Sequence, residues 1–332
     1  MKLNQDSGKQ KGISNRWLIW LVAIVFLILP FLINDYWVDV LFYFGNYALL
    51  GLSLNIVLGE VGLFDLGHMG FVAIGAYTTA ILNTMFGIPI IILLPISALA
   101  AGAFAWLVCS PIIHLRGDYL CIVTIGMGEI IRLTLNNNPF GITGGPNGVF
   151  GIDFPSLGNL FVIDDSVKFY YYIWVIVGLT IIGLVNLQRS RIGRAWNYIR
   201  EDEIAAESTG IDVRYYKLLA FILGAGLAGI SGNIFASKLM IVSPESFSFM
   251  ESCLLFCIVL IGGMGSIPGV IIGSAAISLF PEVFRPFAQS RMLIFGVAMI
   301  VMMVFRPGGI WPRKRGSSEL QLLHMKVGKE VE

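Results

Sequence analysis

Long apolar stretches take up most of the chain, and they limit its fold more than any other feature. A helix needs about 20 apolar residues to cross the roughly 30 Å of hydrocarbon in a bilayer. Stretches of about this length or longer occur at 17–33, 39–58, 66–86, 88–113, 119–135, 169–187, 217–239, 252–280 and 290–305. Only 13% of the residues are charged, whereas a soluble domain has about 25%. The sequence therefore predicts an all-α polytopic membrane protein.

Basic residues indicate how this protein is oriented. Loops rich in Lys and Arg stay in the cytoplasm. Of the 22 Lys and Arg, 17 lie in the segments 1–16, 114–118, 188–217 and 306–332. We therefore expect both termini to be cytoplasmic and 136–168 to be an external loop. The segment 1–16 is polar, and no small-residue cleavage site follows the apolar stretch 17–33. We therefore expect 17–33 to be an anchored first helix rather than a signal peptide.

Two cytoplasmic termini require an even number of membrane crossings, whereas nine apolar stretches are present. The long stretch 252–280 can account for the difference. As one helix it would be roughly 43 Å long, which exceeds the hydrocarbon thickness. Its middle, from Gly262 to Gly269, has the sequence GGMGSIPG, which breaks helices. We therefore expect two short segments here and about ten transmembrane or re-entrant helices in all. The predicted division is a cytoplasmic leader at 1–16, a transmembrane domain at 17–312 and a cytoplasmic tail at 313–332.

The segment 188–217 is the one long hydrophilic stretch between apolar spans that is rich in both charge signs, and it contains a short helix with clear end signals. Asp202 can cap this helix, Glu203 places an acid in its first turn, and Gly210 can end it. Two turns are marginal for a helix alone in water, which suggests that a partner holds it. The alternative is an ordinary solvated loop.

A partner of this helix would meet both small and charged residues. The pair Ala205-Ala206 would let its surface approach closely, and Glu203 and Glu207 would offer it charge.

A second unusual region runs from 59 to 75. Its five glycines, together with Asp65 and His68, make a poor straight helix, so we expect a broken or re-entrant segment. Irregular backbone at membrane depth is tolerated only where protein or a water-filled cavity covers it. The region is therefore a candidate lining of a transport path, with a simple cytoplasmic loop as the equal alternative.

Two further features belong to the same candidate path or gate. Glu129 and Arg132 lie three residues apart on one helix face, and mutual neutralisation is favoured over direct contact with a transported molecule. The following stretch, 136–148, is dense in Asn, Gly and Pro. With Thr143 and Asn147 it could form an external gate or a docking surface.

Several function classes are not supported by the sequence. The net charge of +1 gives no reason to expect nucleic-acid binding. The four cysteines all fall in apolar spans and suggest neither a metal site nor a disulfide framework. No phosphate-binding loop is present, and Ser231 and Ser243 have no associated His–Asp arrangement. The glycine pattern at 224–229 lies inside an apolar span, where Gly224, Ala228, Gly232 and Ala236 instead form a small-residue stripe for helix packing.

The loop sequence EIAAESTG at 203–210 resembles the EAA loop of ABC importer permeases, with Ile204 inserted after the Glu and without a Leu-Pro tail. Other stretches extend the likeness in the same order over roughly 40–312, namely 51–78, 115–134, 143–149, 191–212, 243–248 and 261–270. Together they resemble the permeases of branched-chain amino-acid ABC importers, and specifically their M-type subunit.

This resemblance implies a complete import system in the bacterial inner membrane. Its partners would be a second, H-type permease, two ATPase subunits that use ATP, and an extracytoplasmic substrate-binding protein. The chain itself would bind no cofactor and would not be an enzyme. The resemblance assigns coupling to the ATPase to Arg200, Glu203, Ala205, Ala206, Glu207 and Gly210.

The sequence leaves open both the transported substrate and the class of transport protein. Related permeases for urea or short amides share the architecture, and no substrate pocket is evident in the spans. An ion-coupled secondary transporter would also use broken helices and ionisable residues near the midplane, as at Glu129 and Arg132. A channel is a third class, although no repeated filter or charged ring is present.

Overall fold

The structure is a computed structural model that describes residues 29–115, 117–157, 161–283, 296–297, 300, 304–306 and 308–312. The predicted leader 1–16, tail 313–332 and most of the predicted spans 17–33 and 290–305 lie outside these residues. The other apolar stretches are helical, as predicted. The division into leader, membrane domain and tail stays a prediction.

The α-helices follow the predicted spans within a few residues, apart from two short ones in the loop 188–217. They are α1 (Asp35–Leu54), α2 (His68–Phe86), α3 (Ile90–Ile112), α4 (Asp118–Asn136), α5 (Ser166–Arg189), α6 (Arg191–Glu201), α7 (Glu203–Ser208), α8 (Val213–Leu239), α9 (Phe249–Gly262) and α10 (Ile267–Val283). A π-helix, Asn55–Val61, continues α1. Short 3₁₀ turns occupy Pro139–Gly141, Gly145–Asn147 and Pro244–Phe247.

Six helical segments within the described ranges are long and apolar enough to cross a membrane. They are Asp35–Val61, His68–Phe86, Ile90–Ile112, Ser166–Arg189, Val213–Leu239 and Pro244–Gly262. The chain is therefore a polytopic helical protein. The total of ten crossings and the cytoplasmic position of both termini stay predictions.

The two helix breaks predicted from the glycine-rich stretches 59–75 and 262–269 are both present, and a hydrogen bond connects the segments that contain them. The π-helix ends at Gly62, whose φ is +82°, and α9 ends at Gly262 before α10 begins. The Gly265 N–H donates to Asn55 Oδ1 at 2.9 Å, which joins one break to the other. The N–H groups of Ile310 and Trp311 donate to the last carbonyls of α9. Protein groups thus satisfy the backbone at the broken positions, as irregular segments at membrane depth require.

Helix α8 forms the centre of the bundle and packs against α1, α2 and α3. The predicted small-residue stripe lies at these contacts, since Ala228 and Ala236 are fully buried. A Cβ at Gly232 would come within 2.3 Å of Val72 O in α2. The stripe therefore brings the α2 and α8 backbones close together, as its spacing predicted.

Four two-residue strands add to the helical fold. Strand β1 (Val149–Phe150) pairs antiparallel with β4 (Ile241–Val242), and β2 (Ser156–Leu157) pairs with β3 (Phe161–Val162). The β1–β4 pair ties the loop after α4 to the chain just beyond α8. These strands were not predicted from the sequence.

The position of α5 yields a topology prediction. This helix of 24 residues separates the loop 136–168 from the loop 188–217 by roughly 36 Å at 1.5 Å per residue. A reporter fused after Gln188 or Arg315 is expected to report cytoplasm, and one fused near Asn147 is expected to report the exterior. Reporter activity in whole cells measures this, and an exterior signal after Arg315 would contradict the ten-crossing arrangement.

Candidate functional site

The predicted helix in the loop 188–217 is present as α7, with the end signals that the sequence predicted. Asp202 Oδ1 accepts from the N–H groups of Ile204 and Ala205 at 2.9 and 3.1 Å. At the other end Gly210 has φ +86°, and its N–H donates to Glu207 O while the next N–H donates to Ala206 O. This pair of bonds is a Schellman motif, so local capping holds the two turns in place.

Helix α6 precedes α7 and was not predicted. Ser190 caps it by accepting from two backbone N–H groups. Trp196 and Ile199 are buried, and Trp196 Nε1 donates to Tyr216 O at 2.8 Å. The signal was present in the sequence, because Ile192, Trp196 and Ile199 recur at the spacing of one helix face.

Three of the six predicted coupling residues face the chain itself. The guanidinium of Arg200 donates to Gly59 O at the π-helix. Ala206 is buried, which corrects the expectation that it offers a close-approach surface to a partner. Glu203 forms an ion pair with Lys217 of α8 at 2.7 Å, so its charge is committed within the chain.

The exposed surface of α7 consists of other residues. Ala205 and Glu207 of α7, and Gly210 just after it, are exposed, and their role in coupling stays a prediction. Ile204, which in the sequence is only a departure from the EAA pattern, is 66% exposed. Burying this apolar side chain against a partner would remove it from water, which favours association. Burial of Ala206 could not be foreseen, because it depends on how α7 lies against α8.

The ion pair between Glu203 and Lys217 yields a stability prediction. Lys217 is only 3% exposed, so Glu203→Gln leaves a buried ammonium group without its counter-charge. We expect a loss of about 3–5 kcal/mol in unfolding free energy. The double variant Glu203→Gln, Lys217→Met is expected to recover most of it, as measured by thermal unfolding of the purified protein. A double variant as unstable as Glu203→Gln would contradict this account.

The region predicted as broken, 59–75, contains a buried polar cluster. His68 Nδ1 lies 2.9 Å from Asp65 Oδ2, and His68 Nε2 lies 2.8 Å from Ser53 Oγ. All three residues are fully buried. Asp65 Oδ1 also accepts from the Gly67 N–H at 3.0 Å, just before α2 begins. The region is thus packed into the protein and is not a solvated loop, and its role in lining a path stays a prediction.

Hydrogen bonds link the serine to the histidine and the histidine to the aspartate, which resembles a hydrolase triad. This cluster was not predicted from the sequence. A triad needs a serine hydroxyl that can reach a substrate. Here Ser53 Oγ donates to Leu50 O at 2.7 Å, and no member of the cluster is accessible. The cluster therefore stabilises the irregular backbone between the π-helix and α2.

Glu129 and Arg132 form the predicted ion pair, with 2.6 Å between Arg132 Nη2 and Glu129 Oε1. A third member is Glu245, whose carboxylate lies 2.7 Å from Arg132 Nη1. This side chain comes from the 3₁₀ turn before α9, and sequence spacing could not reveal it. The cluster carries a net charge of −1 and joins α4 to the 3₁₀ turn before α9, and its place in a gate stays a prediction.

The predicted gate residues in the loop after α4 have different surroundings. Thr143 is buried and donates to Leu135 O at 2.8 Å, and its N–H donates to Asn138 Oδ1 at 2.9 Å. It therefore holds the loop in shape. Asn147 is exposed. Phe140, in a left-handed conformation with φ +60°, is 96% exposed at the tip of the same loop.

The described residues include no group of three or more His, Cys, Asp or Glu placed to hold a metal ion. All four cysteines are free.

Comparison with known proteins covers most of the chain. Residues 36–305 match the family described as "Branched-chain amino acid transport system / permease component". The chain is 40% identical over 327 residues to the high-affinity branched-chain amino acid transport system permease protein LivM of Escherichia coli (strain K12), covering 91% of this chain and 77% of that protein. It is 40% identical to LivM of Salmonella typhimurium, covering 88% and 74% respectively.

A more distant relative is the permease protein LivH of Escherichia coli (strain K12). It is 25% identical over 293 residues, which cover 81% of this chain and 92% of LivH. No solved structure matches the chain. The match over 36–305 and the identity to LivM are extensive enough to decide the family: this chain belongs to the permease components of branched-chain amino acid transport systems.

Proposed function

We propose that this chain is the M-type permease subunit of an ABC importer that carries leucine, isoleucine and valine into the cell. The observation that carries the proposal is the 40% identity to LivM over 91% of the chain. The similarity to LivH supports a second, H-type permease as partner. Urea and short-amide permeases are not favoured, because the relatives named above are branched-chain amino acid permeases.

Two surfaces support the remaining partners of this proposed system. Ile204 of helix α7 is exposed, which suits docking of an ATPase subunit on the cytoplasmic side. On the other side, Phe140 is almost fully exposed at the loop tip, which suits docking of a substrate-binding protein. ATP would be bound by the ATPase subunits, since the sequence has no phosphate-binding loop.

The proposal is tested by uptake into proteoliposomes that contain the full chain with its co-expressed partners and the binding protein. Labelled leucine, isoleucine and valine are expected to accumulate only with ATP on the ATPase side. Urea and acetamide are expected to be excluded. Uptake driven by an ion gradient without ATP would establish a secondary transporter instead, and uptake of urea or amide alone would overturn the substrate assignment.

A further inference from the structure

A cavity of about 220 Å³ lies among α1, α2, α8 and α9. It is separate from the buried Ser53–His68–Asp65 cluster and from the coupling surface of α7. One part of its wall is polar and carries a carboxyl group, and the rest is apolar.

The polar part of the wall contains an acid without a cationic partner. Glu251 belongs to the candidate membrane span Pro244–Gly262, and its Oε2 accepts from the Tyr47 hydroxyl at 3.3 Å. Within the described part of the chain, no basic side chain pairs with Glu251. Arg132 and Lys238, the basic residues that the sequence placed within spans, are each paired with other acids. An ionisable group within a span marks a functional site, and a carboxylate there favours a cationic ligand.

The same wall offers hydrogen-bond donors for an anion. Asn46 lines the cavity, and its Oδ1 accepts from Ser231 Oγ at 2.6 Å, which leaves its NH₂ group available as a donor. Ser246 adds a hydroxyl to the lining. The cavity is thus lined by both a carboxylate and neutral donors. The carboxylate suits the ammonium group of an amino-acid zwitterion, and the donors suit its carboxylate group.

The remaining wall is apolar and of limited size. It consists of Leu50, Met69, Val72, Phe235 and Phe247. Benzene fills an apolar cavity of about 150 Å³, so this cavity has room for a molecule roughly half as large again. That is the size of a leucine molecule, and the apolar lining suits an aliphatic side chain.

We propose that this cavity is a binding site of the permease for an aliphatic α-amino acid during its passage. Glu251, supported by Tyr47, receives the α-ammonium group. Asn46 and Ser246 donate to the α-carboxylate, and the apolar wall encloses the branched side chain. This inference rests on the proposed function, because it names the place in the chain where the transported amino acid is held.

The test measures binding of labelled L-leucine to the purified complex of this chain with its partner permease and ATPases, without the binding protein. Saturable binding in the millimolar range or tighter is expected for the natural sequence. Glu251→Gln is expected to weaken it at least tenfold, because a hydrogen bond to a charged group is lost. Glu282→Gln is the matched control, since Glu282 also accepts from a tyrosine hydroxyl, that of Tyr36, but lies outside the cavity.

If Glu251→Gln misfolds, a second variant still tests the proposed site. Val72→Leu adds one methylene to the apolar wall and is expected to lower leucine binding about tenfold or more relative to valine. Absence of saturable binding by the natural complex, equal loss in Glu282→Gln, or an unchanged leucine-to-valine ratio in Val72→Leu would overturn the inference. ATP-driven uptake by the natural transporter is measured separately, so a failure of this site would leave the proposed function standing.

Discussion

Replacing Gly232 with leucine is expected to abolish assembly of the helix bundle. A Cβ at this position would lie 2.3 Å from Val72 O and 2.8 Å from Ala76 N. Both are backbone atoms of α2, so no side-chain rotation can relieve the contact, and α2 and α8 would have to separate. Because α8 also packs against α1 and α3, the displacement would spread through the core.

The smaller change Gly232→Ala tests the same contact in a graded way. Overpacking of this kind typically costs about 1–3 kcal/mol, and occasionally more. Gly226→Ala in the same helix is the matched control, because a Cβ there would meet only Ala98 O, at an ordinary 3.5 Å. Size-exclusion chromatography and thermal unfolding of the purified proteins measure the effect. We expect Gly226→Ala to be the most stable of the three variants, Gly232→Ala to be less stable and Gly232→Leu to be the least stable. A monodisperse Gly232→Leu protein with natural thermal stability would show that the two helices do not pack as described.

Local patterns in the sequence were sufficient to predict the small-residue stripe on α8, but not to predict which helices pack against it. Small residues every four positions must lie on one helix face, so Gly224, Ala228, Gly232 and Ala236 could be grouped without a structure. The identity of the facing helix depends on how distant segments assemble. The close approach of Gly75 in α2 to Gly229 therefore could not be predicted.

The two helix breaks show the same limit. Glycine and proline disfavour a continuous helix at 59–75 and at 262–269 through their own backbone preferences, so both breaks were predictable. Their contact through Asn55 and Gly265 is long-range and was not. The π-helix at Asn55–Val61 also has no signal in apolar periodicity.

Within the candidate site, capping was predictable and orientation was not. Asp202 and Gly210 act on the backbone of their own helix, so their roles follow from their positions. Ala206 and Glu203 instead depend on the fit of α7 against α8 and on Lys217. Sequence likeness to the EAA loop therefore pointed to a segment that contains a capped helix, but two of the residues it assigned to a partner, Glu203 and Ala206, contact the chain itself. That this segment couples to an ATPase stays a prediction.

Replacing Ile204 with glutamate is expected to uncouple the permease from ATP hydrolysis without unfolding it. The side chain is 66% exposed on α7, so a charge there costs the isolated chain little, but it would be driven into an apolar contact in the complex. Loss of such an anchor typically costs at least about 2 kcal/mol, which corresponds to roughly thirtyfold weaker association. Co-purification of the ATPase subunits and leucine-stimulated ATP hydrolysis are expected to fall accordingly.

Two further variants separate docking from folding at the same helix. Ile204→Met keeps an apolar side chain and is expected to retain assembly and uptake. Ala206→Arg places a charge in a buried position, so it should lower the thermal stability of the chain itself, whereas Ile204→Glu should not. Normal co-purification and uptake in Ile204→Glu would mean that α7 is a connector held by its own caps. In Ile204→Glu the caps at Asp202 and Gly210 remain intact, so α7 itself should still form. Loss of ATPase binding by this variant with unchanged thermal stability would therefore be explained only by a docking role of Ile204.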